Sequence, residues 1–98
     1  MYASVRRYEG ITPDSVDEIV WQVEKSFVPS ISEASGFVAY FLLDAGNGAI
    51  ATVSVFEDQA GAEKSNRAAA EFVKETLAAL VLNPPKITAG EVRVHKIA

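Results

Sequence analysis

Cysteine is absent from the 98-residue chain, which removes disulfides, thiolate metal centres and cysteine nucleophiles and leaves the redox compartment unmarked. Histidine occurs once, at His95, so no multi-histidine metal site can form, and the scattered carboxylates show no ligand spacing. Basic residues are few: nine Lys and Arg against thirteen Asp and Glu give a formal charge of -4. That balance argues against nucleic acid or an anionic membrane as partner, and leaves room for a small anionic ligand held by a local pair of arginines. No window approaches the roughly 20 apolar residues of a membrane span, and the opening "MYASVRRYEG" has no apolar core of signal-peptide length. No phosphate-binding loop and no nucleophile-base pair is present. The expectation is a soluble cytoplasmic protein without metal or cofactor.

What is there fits one domain, residues 1–98, since a chain of this length that is 49 % apolar supports a single core. "YASVRRY" (2–8) is short, rich in β-formers and closed by Gly10, which predicts a first strand. "TPDSVDEIVWQVEKSFVPS" carries proline at the first helical position and acids in its first turn, with Val16, Ile19, Val20, Val23 and Phe27 as one stripe. Pro29 and Ser30 are expected to close this helix. "FVAYFLLD" and "AIATVSVFED", joined through Asn47-Gly48, read as a hairpin whose first strand is apolar on both faces, with Phe37, Ala39, Phe41 and Leu43 sharing one of them. A second helix is expected from Asp58 to the prolines at 84 and 85, weakened near its start by Gly61, with Ala62, Ser65, Ala69, Phe72, Val73, Thr76, Leu77 and Leu80 as its buried stripe. "KITAGEVRVHKI" supplies the last strand.

The order strand, helix, strand, strand, helix, strand is an α+β, ferredoxin-like βαββαβ arrangement: a four-stranded antiparallel sheet with both helices on one face. Right-handed crossovers put the first and third strands in the middle. The alternation is expected to turn Val5, Ala51, Val53, Val55, Val92 and Val94 toward the helices. Ser4, Arg6, Tyr8, Thr52, Ser54, Phe56, Arg93 and His95 then fall on the far face, which pairing in a symmetric homodimer through the sheet would cover.

The whole chain resembles the antibiotic-biosynthesis-monooxygenase-like domains of the dimeric α/β-barrel superfamily. The residues that carry the resemblance are "GFVAYFLLDAGNGAIATVSVFEDQAGAEKSNRAAAEFV" and "NPPKITAGEV", with glycine then aromatic opening the second strand, an aromatic then Glu-Asp ending the third, and "GEV" in the fourth. It implies a barrel made from the sheets of two subunits, a pocket between sheet and helices in each, and members ranging from cofactor-independent oxygenases of polycyclic phenols to haem-degrading enzymes. The haem-degrading branch uses a histidine early in the second helix and a tryptophan at the end of the third strand; Asn66 and Phe56 stand at those positions here, so haem ligation has no donor. The oxygenase branch pairs that tryptophan with a pocket asparagine, to which Asn66 loosely corresponds.

Within this frame the candidate chemistry lies on few residues. Arg93 and His95 are i and i+2 on a predicted strand, hence on one face about 7 Å apart, and Arg6 with Tyr8 makes a similar pair. Two guanidiniums and an imidazole can hold an anionic or enolic substrate and move its proton; the alternative is that they are polar teeth satisfied by Glu9, Glu91 or the partner subunit. Asn66 lies about 40° from the apolar stripe of its helix and either orients a ligand or bonds a loop carbonyl. Tyr40, Thr52, Ser54 and Phe56 line the same cavity or simply pack. Trp21, about 120° off its stripe, closes a pocket, anchors a subunit contact or lies on the surface beside Lys25. The function these assignments support is oxygenation of a small aromatic or polyketide-like compound without a cofactor; the alternative is a binding or structural dimer that has lost the family's reactive residues.

Overall fold

A computed structural model describing all 98 residues shows how the predicted elements assemble. Strands β1 (Tyr2–Tyr8), β2 (Phe37–Gly46), β3 (Ala49–Phe56) and β4 (Lys86–Glu91) form one antiparallel sheet in the order β2-β3-β1-β4, so the first and third strands are central as expected. The first helical segment runs from a 3-10 turn (Pro13–Ser15) through α1 (Val16–Gln22) and a π turn (Val23–Phe27) into α2 (Val28–Ser32); the second is α3 (Gln59–Thr76). The β2-β3 hairpin turns on Asn47 and Gly48, both at positive φ (53° and 77°), the pairing that a tight two-residue turn requires.

Four expectations about extent are corrected. Pro29 does not close the first helix, which continues to Ser32. Proline lacks an N–H and its ring crowds the carbonyl four residues back; the π turn just before it is where the ladder gives way, and the helix then resumes. The wider turn also keeps Ile19, Val23, Phe27 and Ile31, four residues apart, on one buried line. Helix α3 stops at Thr76, leaving Thr76 exposed, and a bend then carries Leu77 and Val81 back into the core, closed by the Val81 N–H donating to the Leu77 carbonyl at 2.8 Å. β4 ends at Glu91, which pairs with Tyr2, the first residue of β1, and one further bond from the Val92 N–H to the Met1 carbonyl follows it. In β2 a register shift between Phe37 and Ala39 inserts Val38 and reverses the parity, so Phe37 sits opposite Phe56 instead of sharing a face with Ala39, Phe41 and Leu43.

The larger correction concerns the two sheet faces. Ser4, Arg6, Tyr8, Thr52, Ser54 and Phe56 are all buried, beneath the helices; Ala3, Val5, Ala51, Val53 and Val55 form the opposite face with Phe41 and Leu43, which are 58 % and 52 % exposed. The burial of these polar residues is offset in part by hydrogen bonds to one another and to the second helix, which presents small residues to them: Ala62, Ser65 and Ala69 are its buried positions. Asp58 caps α3 by accepting the Gly61 N–H at 2.8 Å. Gly61 is a point of close approach more than a weakness: a Cβ there would lie 2.7 Å from Phe56 Cδ2 and 3.0 Å from its Cβ, and Phe56 has no room to retreat. The gain in helix propensity on replacing it, about 1 kcal/mol, is therefore outweighed by overpacking.

Candidate functional site

Between the sheet and the helices lies a cavity of ≈ 30 Å³, room for about two waters. Its wall is apolar: Ile19, Val23 and Phe27 from the first helix, Ala69, Phe72 and Val73 from α3, Leu77 and Val81 from the bend, and Leu42 and Ile50 from β2 and β3. Phe27 is its aromatic hinge, with ring centroids 5.6 Å from Tyr40 and 5.3 Å from Phe72 in tilted contacts. The π turn supplies Val23 and Phe27 to this wall, in keeping with the concentration of π turns at functional sites. Only Arg6, Thr52, Tyr8 and Tyr40 bring polar atoms to it, and three elements converge to place them: β1, β3 and β2.

Arg6 dominates the electrostatics. It is 1 % exposed, and its guanidinium donates from one Nη to Asn66 Oδ1 at 2.8 Å and Ser65 Oγ at 3.4 Å, and from the other to Ser54 Oγ at 2.7 Å. Asn66 Oδ1 also accepts the Ser4 hydroxyl at 2.6 Å, and Ser65 donates to the Ala62 carbonyl at 2.6 Å, so the cluster is tied to both the sheet and α3. Every partner is neutral. The single ion pair of the chain, Arg7 with Glu9 at 3.1 Å, is on the surface. A guanidinium stays protonated in proteins, and burying one without a counter-charge costs several kcal/mol. Two buried polar atoms at the cavity lack any partner: Arg6 Nε and Thr52 Oγ1, on residues directly opposed across β1 and β3.

Tyr8 and Tyr40 feel that charge but remain phenols. Both lie close to Arg6, and Tyr40 close to Thr52, without completing a hydrogen bond to Arg6 Nε or Thr52 Oγ1. Burial raises both above the ordinary 10.0, and the nearby guanidinium offsets only part of the rise. They are hydrogen-bond donors at neutral pH, with no capacity as bases there. Because the folded state holds these protons more tightly than the unfolded chain, their contribution to stability is intact below the ordinary 10.0 and is lost as pH rises from there through the higher folded values. A spectrophotometric alkaline titration is expected to show phenolate forming late, with Tyr8→Phe and Tyr40→Phe each removing one late step.

The structure brings Arg6, Tyr8, Tyr40 and Thr52 together at the cavity, with Ser54 and Asn66 holding Arg6 from behind. Phe56, 1 % exposed, packs edge-on against Phe37 at 5.8 Å and does not reach the cavity. Arg93 and His95 are not on the sheet: they lie exposed beyond the end of β4, away from Arg6, so the expected cationic patch does not form. Trp21 is 51 % exposed, lies outside the cavity and carries the Lys25 ammonium 4.4 Å above its ring. Sequence reasoning missed Ser4 and Ser65, whose only signal was spacing: Ser65 falls in the α3 stripe and Ser4 shares a face with Arg6. The apolar wall was visible in the helical stripes, as core. No cluster of three or more His, Asp or Glu side chains capable of holding a metal exists, and no helix is long and apolar enough to cross a membrane.

No family model matches the sequence, and no curated protein matches it. Solved structures do resemble its fold. A protein of unknown function from Nitrosomonas europaea superposes with a TM-score of 0.79 at 24 % identity, over 99 % of this chain and 93 % of that one. A Streptomyces coelicolor monooxygenase in complex with the ligand nanaomycin D gives 0.77 at 18 %, over 99 % and 91 %. A dimeric ferredoxin-like protein from an uncultured marine organism gives 0.69 at 18 %, over 99 % and 97 %. At these identities the likeness is one of fold, and the fold of the chain is the ferredoxin-like one that the antibiotic-biosynthesis-monooxygenase-like proteins share.

Proposed function

We propose that the chain is a cytoplasmic homodimer that binds a small aromatic or polyketide-like molecule across the cavity between sheet and helices and an outer cleft of ≈ 210 Å³ that shares Tyr8, Val73 and Val81 with it, and oxygenates it without a cofactor. The observation that carries the binding half is the cavity itself, an apolar wall with one polar corner, the usual make-up of a small-molecule site. The dimer rests on the uncovered sheet face, where Phe41, Leu43, Val53 and Val55 make an apolar surface that a second copy buries by two-fold pairing. The oxygenase half rests on the shared fold, which is analogy. Its balance needs no added reductant. A methylene group of the substrate and one molecule of dioxygen give a carbonyl group and one molecule of water; the substrate supplies the electrons, one oxygen atom enters it and the other leaves with the two methylene hydrogens.

A second reading, a binding dimer without turnover, is favoured by a specific observation. The cavity offers no carboxylate or imidazole to deprotonate a substrate, since its two tyrosines hold their protons and His95 lies elsewhere. Oxygen consumption over a panel of planar phenols, together with crystals soaked in the same compounds, separates the two; binding throughout without oxygen uptake selects the second. The dimer has its own test. Light scattering after size exclusion is expected to give twice the 10.5 kDa of the chain, and Phe41→Asp with Val53→Asp to halve that mass. A wild-type monomer overturns it.

A further inference from the structure

We infer that the ligand of this cavity is an anion, its charged oxygen seated between Arg6 Nε and Thr52 Oγ1 and its apolar body directed toward the outer cleft. The inference rests on the small-molecule reading above and adds the chemical class: an acidic oxygen on a small, mostly apolar body. Arg6 is a cation removed from water, and its serine and asparagine partners satisfy hydrogen bonds without supplying charge. They also fix its plane. With both Nη groups engaged by Ser54, Ser65 and Asn66, Nε is the one guanidinium nitrogen without a partner. Thr52 Oγ1 is the second unpartnered atom and stands on the residue that faces Arg6 across the central strand pair, with Cβ atoms about 5 Å apart by sheet geometry. Two donors from adjacent strands thus converge beside the Tyr8 and Tyr40 side chains, at the one polar corner of a wall that is apolar elsewhere. Water can complete their hydrogen bonds and leaves the charge uncompensated; a carboxylate, phenolate or enolate oxygen does both.

Size sets the direction of the rest of the molecule. The inner cavity takes little more than the acidic group, but a cleft of ≈ 210 Å³ adjoins it, lined by Tyr8, Val73, Val81, Leu82 and the two prolines at 84 and 85. Tyr8, Val73 and Val81 line both and form the partition. A ligand with its oxygen on Arg6 extends past that partition, and Leu82, 75 % exposed, offers apolar surface at the outer end.

The probes are benzoate, its neutral isostere benzamide, and a nitrophenol whose free pKa is near neutrality, titrated into the full chain by calorimetry and absorbance. Benzoate is expected to bind at least tenfold more tightly than benzamide, or the nitrophenol to bind as its coloured phenolate at a pH where the free compound is protonated; which arm responds identifies the acid as carboxylic or phenolic. Arg6→Met is expected to abolish the preference for the anion. Asn66→Asp is the second variant: it keeps the oxygen that accepts from Ser4 and Arg6 and installs a carboxylate beside the guanidinium, so it is expected to fold and yet lose the anion preference. If the wild-type chain binds benzamide as tightly as benzoate and the nitrophenol as its neutral form, the anion seat is overturned and the cavity stands as a neutral binding site. If none of the three binds, the cavity is a packing feature and both readings fall.

Discussion

Phe56→Ala is expected to destabilise the fold by about 3–5 kcal/mol, the range for deleting a fully buried aromatic side chain, and to lower Tm by about 15–30 °C for a domain of this size. The side chain is 1 % exposed, with Phe37 edge-on at 5.8 Å on one side and the backbone of Gly61 against its ring on the other. Because α3 approaches so closely there, its first turn cannot settle into the space left behind without dragging the Asp58 cap with it, so the cavity stays largely open and the loss falls toward the upper end. Phe56→Leu keeps most of the volume and is expected to cost less than about 1.5 kcal/mol. Urea denaturation at fixed protein concentration, which matters if the chain dimerises, separates the two variants; equal losses would show that Phe56 is not held as described.

Gly48→Ala is the second large effect, about 2–3 kcal/mol, which is unusual for a single added methyl. Two causes combine. The residue sits at φ 77°, where a side chain costs roughly 1–2 kcal/mol, and a Cβ would press into the Ile11 carbonyl oxygen. Relieving that contact moves the two segments apart and loosens the hydrogen bond from the Ile11 N–H to the Gly48 carbonyl, 3.0 Å long and worth about 1 kcal/mol. Ile11 is itself 4 % exposed and lines the cavity, so the variant is also expected to weaken ligand binding. Asn47→Ala, at φ 53° without the close approach, is expected to show only the conformational part of the loss. Urea denaturation of both variants checks the difference.

Much of the architecture was legible from local chemistry. Asn47-Gly48 between two β-rich runs announced the hairpin, the regular spacing of Ile19, Val23 and Phe27 announced the helical wall, and the order of elements announced the sheet. The face assignment was not legible, because alternation says which residues share a side and nothing about which side the helices cover. Ser4, Arg6, Thr52 and Ser54 read as a wet surface until they are seen to bond one another and Asn66. A matching signal existed in α3, whose stripe of Ala62, Ser65 and Ala69 is too small and polar to cover a face of valines. The terminal strand failed for a different reason. "EVRVHKI" alternates as a strand should, but pairing needs a neighbour, and β1 extends only to Tyr2, with the Met1 carbonyl taking the last bond from the Val92 N–H. His95 thereby stands off the sheet, and Arg6, read as one of several basic residues, is the buried charge at the cavity.

The position of β1 bears on how the protein is made. Tyr2–Tyr8 leaves the ribosome before the two strands that flank it in the sheet, Ala49–Phe56 and Lys86–Glu91. Both edges of the nascent strand therefore wait, one until the hairpin is made and the other until the last strand emerges, and an unpaired edge is a template for pairing with the wrong chain. The residues on it that face the future core are Ser4, Arg6 and Tyr8, so what waits in water is a polar surface with a permanent charge. The arginine that the folded protein buries at a cost gives the unpaired strand, together with Arg7, a permanent positive charge, and two copies of it repel.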